Sequence, residues 1–151
     1  MASMTYDEFD LGSTLFGGGT ITEAHIVSAA GLFNDFNPLH VNEEAALASV
    51  FGKRIAHGPL IVGIMLGVIG NSIAGTGIAD LETTFRFRSP VFIGDTLKYV
   101  WKTVERVPKE KYNGGIVTFQ GTATNQRQQL VVEATNKVLI TNSVPAWAAG
   151  S

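Results

Sequence analysis

The 151-residue chain has no cysteine. That excludes disulfides, thiolate metal ligands and a thiol nucleophile together, and makes the cytosol the natural compartment. Charge is scarce as well: charged residues make up 16% against 45% hydrophobic, and the net charge is −2. No basic cluster exceeds Lys109-Glu110-Lys111, which argues against nucleic acid as a partner. So small a charged share is low for a monomer that must cover its whole surface, and predicts that apolar surface is buried against another copy. The start of the chain carries Asp7, Glu8 and Asp10 and no basic stretch leading into an apolar run, so it is not read as a secretory signal. A hydrophobic run long enough to cross a bilayer, about 18 residues, is also missing, because the most apolar stretch is broken at Asn71.

What is present is centred on that stretch. From Leu60 to Ile69 no side chain is polar, so a helix over about 59–71 would be apolar on every face and is expected to be wrapped by the rest of the protein. Pro59 suits its first turn, where a missing N–H costs nothing, and Gly58 before it leaves backbone amides uncovered. Gly63 and Gly67 fall on one face and let a backbone or a thin ligand come close.

The length suits one domain over 1–151, with a core over about 10–142 and a tail, 145–151, that frays. Glycines between 12 and 19 suggest an entry loop or a short strand with turns. Apolar residues at 26, 29, 30 and 33 predict an amphipathic helix over 23–33 behind Thr22 as N-cap, with His25 as a surface histidine. Pro38 turns Asn37 away from helical geometry, so the chain is expected to run irregularly to His40. Asn42 then caps a short helix that Phe51-Gly52 closes. Beyond Gly77, alternation at 83–88, a long strand over 97–107, another over 116–125 and a last over 130–140 follow with short turns between. Successive strands so joined make an antiparallel sheet with one apolar face, and the apolar helix covers it. The fold class is α+β: an antiparallel sheet around one buried helix, the hot dog arrangement.

Chemistry is offered by Asp35 and His40, five apart across a proline-containing loop. A carboxylate beside an imidazole moves the protons of a water molecule at neutral pH. By spacing alone the plainer assignment is favoured, with Asp35 a turn or cap residue and His40 an ordinary loop histidine. The joint occurrence with His57-Gly58-Pro59 adds weight, because a helix N-terminus presents free N–H groups that could hold a thioester oxygen as it becomes an enolate. The bland alternative is a plain helix start with His57 packed locally.

Asp35-Phe36-Asn37-Pro38-Leu39-His40, Phe51-Gly52 and Ile55-Ala56-His57-Gly58-Pro59-Leu60 together resemble the hydratase motif of the MaoC-like family, which includes (R)-specific enoyl-CoA hydratases. Phe85-Arg86-Phe87, Pro90-Val91 and Gly94-Asp95-Thr96 are similar to its strand and turn pattern, and the likeness spans about residues 20–140. The resemblance implies a hot dog domain that pairs into homodimers and assembles further in some cases, acting on acyl-CoA with neither metal nor cofactor and no membrane partner. By it, Asp35 and His40 activate one water that adds to a trans-2-enoyl thioester, giving the (R)-3-hydroxyacyl thioester or running in reverse. His40 is taken as base, Asp35 as the orienting and proton-delivering partner, and Gly58 as the amide on the thioester oxygen. Asn37, His57, Pro59 and Gly63 are expected at the substrate, with Asn37 holding the loop or touching the water. The family's serine in the first turns of the central helix is absent, with Gly63 near its place, which implies a wider acyl channel.

Two other readings stand beside this one. A hot dog thioesterase would direct water at the carbonyl carbon, and the Asn37-Pro38-x-His40 run argues against it. A non-catalytic acyl-thioester-binding subunit would not need both Asp35 and His40. Lys53, Arg54, Arg86 and Arg88 are candidates for the CoA phosphates, although exposed basic side chains are usually only solvated.

Overall fold

The structure, a computed structural model, describes residues 3–148. In chain order it contains β1 (Thr14–Thr20), α1 (Glu23–Phe33), α2 (Pro38–Val41), α3 (Glu43–Leu47), α4 (Gly58–Ser72), β2 (Gly77–Phe87), β3 (Thr96–Lys109), β4 (Gly114–Asn125) and β5 (Leu130–Thr141), with 3-10 turns at Tyr6–Glu8 and Glu110–Tyr112. The strands form one antiparallel sheet in the order β1-β3-β4-β5-β2, and α4 lies on its apolar face. This is the hot dog fold.

Alternation along the long strands puts Leu97, Tyr99, Trp101, Val117, Phe119 and Val132 under the helix, all buried. Ile61, Met65 and Ile69 meet them from α4 at intervals of four, each such burial contributing about 1.5–3 kcal/mol. Trp101 Nε1–H donates to the Met65 carbonyl at 2.9 Å, which pins the helix to the sheet. Opposite, Gly121 has no room for a side chain: a Cβ there would lie 2.4 Å from the Trp101 ring.

The expectation that α4 is wrapped on every face is not met within one chain. Only the stripe through Ile61, Met65 and Ile69 is buried, while Pro59, Gly63 and Gly70 are exposed. The physical reason is that a single five-stranded sheet covers one side of a helix.

Other departures are local. Thr14–Thr20 is a strand, paired with Thr96–Lys102, although glycine at 17, 18 and 19 obscures its pattern. The segment at Pro38–Val41 is a helical turn rather than irregular, and α3 ends at Leu47, before Phe51. In the tail, residues 145–148 close a turn in which Ala148 N–H donates to the Pro145 carbonyl at 2.9 Å, and Ala148 is buried against Gly75. The remainder of the segment expected to fray, 149–151, lies outside the described residues.

Candidate active site

The excursion between β1 and α4 carries the acid and the imidazole. Helix α1 stops because Asn34 takes a left-handed conformation, φ 52°, which asparagine tolerates. The N–H groups of Asn34 and Asp35 both donate back to the Ala30 carbonyl. Asp35 therefore leaves the helix at a fixed angle. Its Oδ1 accepts the N–H of Asn37 at 3.2 Å, and Asn37 Oδ1 in turn accepts from Leu39 N–H at 3.0 Å, so Asn37 caps α2 with Pro38 at its first position. Asn37 is exposed and holds the loop.

Helix α2 then delivers His40. Its Nδ1 lies 2.8 Å from the Ile55 carbonyl; a carbonyl only accepts, so Nδ1 carries the hydrogen and Nε2 is left with a free lone pair. Nε2 faces Asp35 Oδ2 at 3.8 Å, too far for a direct hydrogen bond and suited to groups that share a water.

Residues 55–58 join this excursion to the body. Ile55 N–H donates to the Leu39 carbonyl at 3.1 Å and Ala56 N–H to the Val91 carbonyl at 2.8 Å. Gly58 opens α4, and among the described residues its N–H finds no acceptor, as a first-turn amide should not. Its Cα lies close beneath a phenyl ring, for a Cβ there would stand 3.1 Å from Phe87. His40 and Gly58 border one cavity of about 360 Å³, whose other walls include Phe51, Ile61, Phe87 and Val91. His40 and Gly58 thus line one largely apolar space, while Asp35 stands outside its walls and reaches it only through His40.

Three of the expected substrate contacts are placed elsewhere. His57 is wholly buried: its Nε2 donates to the Asp35 carbonyl at 3.0 Å, and its ring stacks on His40 with centroids 3.9 Å apart and planes at 29°. Having no exposed surface, it does not touch a substrate. Pro59 and Gly63 lie on the open side of α4, outside the cavity formed by this chain, because the stripe facing inward runs through Ile61. Donor atoms of Asp35, His40 and His57 come within 4.8 Å of one another. Two stacked imidazoles, however, direct their in-plane lone pairs side by side rather than at a common point.

Of the four basic candidates, Arg88 borders the cavity and pairs with Glu133 at 2.6 Å. Lys53 sits over the Phe92 ring, and Arg86 lies on a polar groove of the opposite sheet face. Arg54 is committed elsewhere. Its guanidinium grips Glu23 through two nitrogens, reaches Glu43 at 2.9 Å and the His40 carbonyl at 3.4 Å. Those hydrogen bonds hold the Glu23 carboxyl below the usual carboxylate range and push the Arg54 guanidinium up. This clamp is not legible along the chain, since nothing local relates positions 23, 43 and 54.

The family model for the MaoC like domain matches residues 16–126. The chain belongs to the MaoC-like family. It is 38% identical over 121 residues to an (R)-specific enoyl-CoA hydratase of Rhodospirillum rubrum, covering 80% of this chain and 81% of that one. To a 3-hydroxybutyryl-CoA dehydratase of Methylorubrum extorquens it is 31% identical over 106 residues, 70% of this chain and 68% of the other. Among solved structures, the unliganded R-hydratase of Pseudomonas aeruginosa superposes with a TM-score of 0.83 at 27% identity, over 93% of this chain and 88% of that one.

Proposed function

We propose that the protein is a hydro-lyase that adds water to trans-2-enoyl-CoA thioesters to give (R)-3-hydroxyacyl-CoA, or removes it in reverse. The observation that carries this reading is the pairing of a lone-pair nitrogen, His40 Nε2, with Asp35 Oδ2 at 3.8 Å, next to a cavity lined by both His40 and Gly58, whose N–H is unpaired among the described residues. MaoC-like relatives named as hydratases and dehydratases support it.

A water held between the two side chains gives one proton to His40 Nε2 as its oxygen attacks C3. The electron pair of the C2–C3 double bond moves onto the thioester oxygen, and the Gly58 N–H receives the resulting negative charge at a helix N-terminus. The proton held between His40 and Asp35 then passes to C2, so one water is consumed and no group is left over. These residues perform the hydration without an added metal or cofactor. Arg88, beside the cavity, is the basic side chain best placed for a CoA phosphate.

The working unit in this reading is a homodimer. The open side of α4 carries Pro59, Gly63 and Gly70, and the edge strand β2 exposes Ile78, Leu81 and Phe87. A long apolar edge is a liability unless another chain covers it.

The test mixes the protein with crotonyl-CoA and follows the conjugated enoyl absorbance together with a thiol reagent. Loss of conjugation without free thiol is the expected result. Thiol release instead would make the protein a thioesterase, and no change in either signal would point to a binding subunit or to an acyl group other than crotonyl.

A further inference from the structure

The His57 side chain touches both Asp35 and His40 while remaining out of reach of any substrate. Its relative exposure is 0%. The carbonyl of Asp35 requires Nε2 to be its protonated nitrogen, and its Nδ1 is buried with no partner among the described residues. Phe33, at the end of α1, meets the ring edge-on at 6.3 Å. A lone polar atom left unpaired in this way costs stability, so packing alone would favour an apolar ring here. The ring that is present does two things an apolar aliphatic side chain would not: it ties down the peptide of Asp35 and lies face to face with the imidazole of His40.

We infer that His57 is a positioning residue that fixes Asp35 and His40 relative to one another, holding Asp35 through its backbone and His40 through its ring face. The inference rests on the hydratase reading. Because Ile55, two residues earlier, supplies the carbonyl that orients His40 Nδ1, the segment 55–57 sets the tautomer and the tilt of His40 from two sides. The unpaired Nδ1 follows from this double duty: the ring is turned to serve Asp35 and His40 at once, and no donor is left for its second nitrogen.

Two substitutions separate the two contacts. His57→Phe keeps an aromatic face for His40 and loses the donor to Asp35, and His57→Gln keeps a donor near the Nε2 position and loses the face. Each is measured for crotonyl-CoA hydration well below its melting temperature, and the His40 ring is read by ¹⁵N NMR of histidine-labelled protein. The expected result is a fall in kcat of about tenfold or more in each variant with KM within about twofold, and, in His57→Gln, exchange broadening of the His40 ring resonances as the ring loses its fixed tilt, with the Ile55 carbonyl still holding the Nδ1–H tautomer. Either variant folding with native kcat and an unchanged His40 spectrum would overturn the inference for the contact it removes, and both doing so would overturn it entirely. A fall in melting temperature with kcat and the His40 spectrum unchanged would also overturn it, leaving His57 a packing residue. His40→Gln and Asp35→Asn are assayed alongside. If those two lose activity while the His57 variants do not, the inference alone fails; if they retain the native rate, the hydratase reading fails and takes this inference with it.

Discussion

His40 Nε2 and Asp35 Oδ2 face each other across 3.8 Å, one on α2 and the other in the loop after α1, with no direct hydrogen bond between them. Each is held from behind: His40 through Nδ1 on the Ile55 carbonyl, and Asp35 through Oδ1 on the Asn37 amide. The two atoms left free are those that point at one another, an arrangement suited to sharing a water.

Asp35→Asn and His40→Gln should therefore each lower kcat for crotonyl-CoA hydration by about 10²-fold or more, with little change in folding. Steady-state kinetics checks the rate, and circular dichroism checks that the fold persists. A variant at either position with native kcat would remove that residue from the proton transfer.

Gly58→Ala keeps the amide but adds a Cβ 3.1 Å from the Phe87 ring. The amide and ring must then part by a few tenths of an ångström, and kcat is expected to fall about tenfold, since small misplacements at a reacting centre are expensive. Adding Phe87→Leu, which vacates the crowded space, should restore part of the rate. Kinetics of the single and double variants decides this.

Arg54 stabilises the loop between α1 and α4 by joining Glu23, Glu43 and the His40 carbonyl. Arg54→Met should cost about 1 kcal/mol in stability, the upper end for partly exposed pairs, and lower kcat more than it changes KM. Arg54→Lys should recover little, because one ammonium cannot reproduce the planar fork. Thermal melts and kinetics measure both effects.

Asp95 supports the other flank of the site, in the turn where Val91 binds Ala56. Burial pushes its carboxyl upward, but hydrogen bonds from Phe92 N–H, Gln126 and Arg127 outweigh that and hold it below the ordinary value. A carboxyl depressed in the folded state adds stability above its unfolded value, and that stability is lost as pH falls through the folded one. Asp95→Asn is thus expected to destabilise by about 1–2 kcal/mol near neutral pH, with the two proteins converging in acid. Denaturant unfolding across pH measures the gap.

Much of this was readable from the chain. Helix α1 and the capped start of α3 followed from Thr22, Asn42 and apolar spacing, and three long strands from alternation bounded by turn residues, because those signals are local. Thr14–Thr20 was obscured since its three glycines carry no side-chain pattern and its pairing partner, Thr96–Lys102, lies far along the chain. At the site, Asp35, His40 and Gly58 were singled out from their residue types and the family resemblance; Asp35 faces His40 at 3.8 Å, and His40 shares a cavity wall with Gly58. The part played by His57 was not legible: burial and stacking depend on where α4 docks, and a backbone partner such as the Asp35 carbonyl leaves no trace in residue identity. The expectation of a fully wrapped helix failed for a related reason, as composition records how much apolar surface exists but not which copy covers it.

The most direct test of the hydration chemistry is the configuration of the product. Native protein incubated with crotonyl-CoA, followed by hydrolysis of the thioester and chiral chromatography, should yield (R)-3-hydroxybutyrate, and Asp35→Asn should yield almost none. Formation of the (S) acid, or release of free CoA before the hydrolysis step with no hydroxy acid formed, would contradict the account.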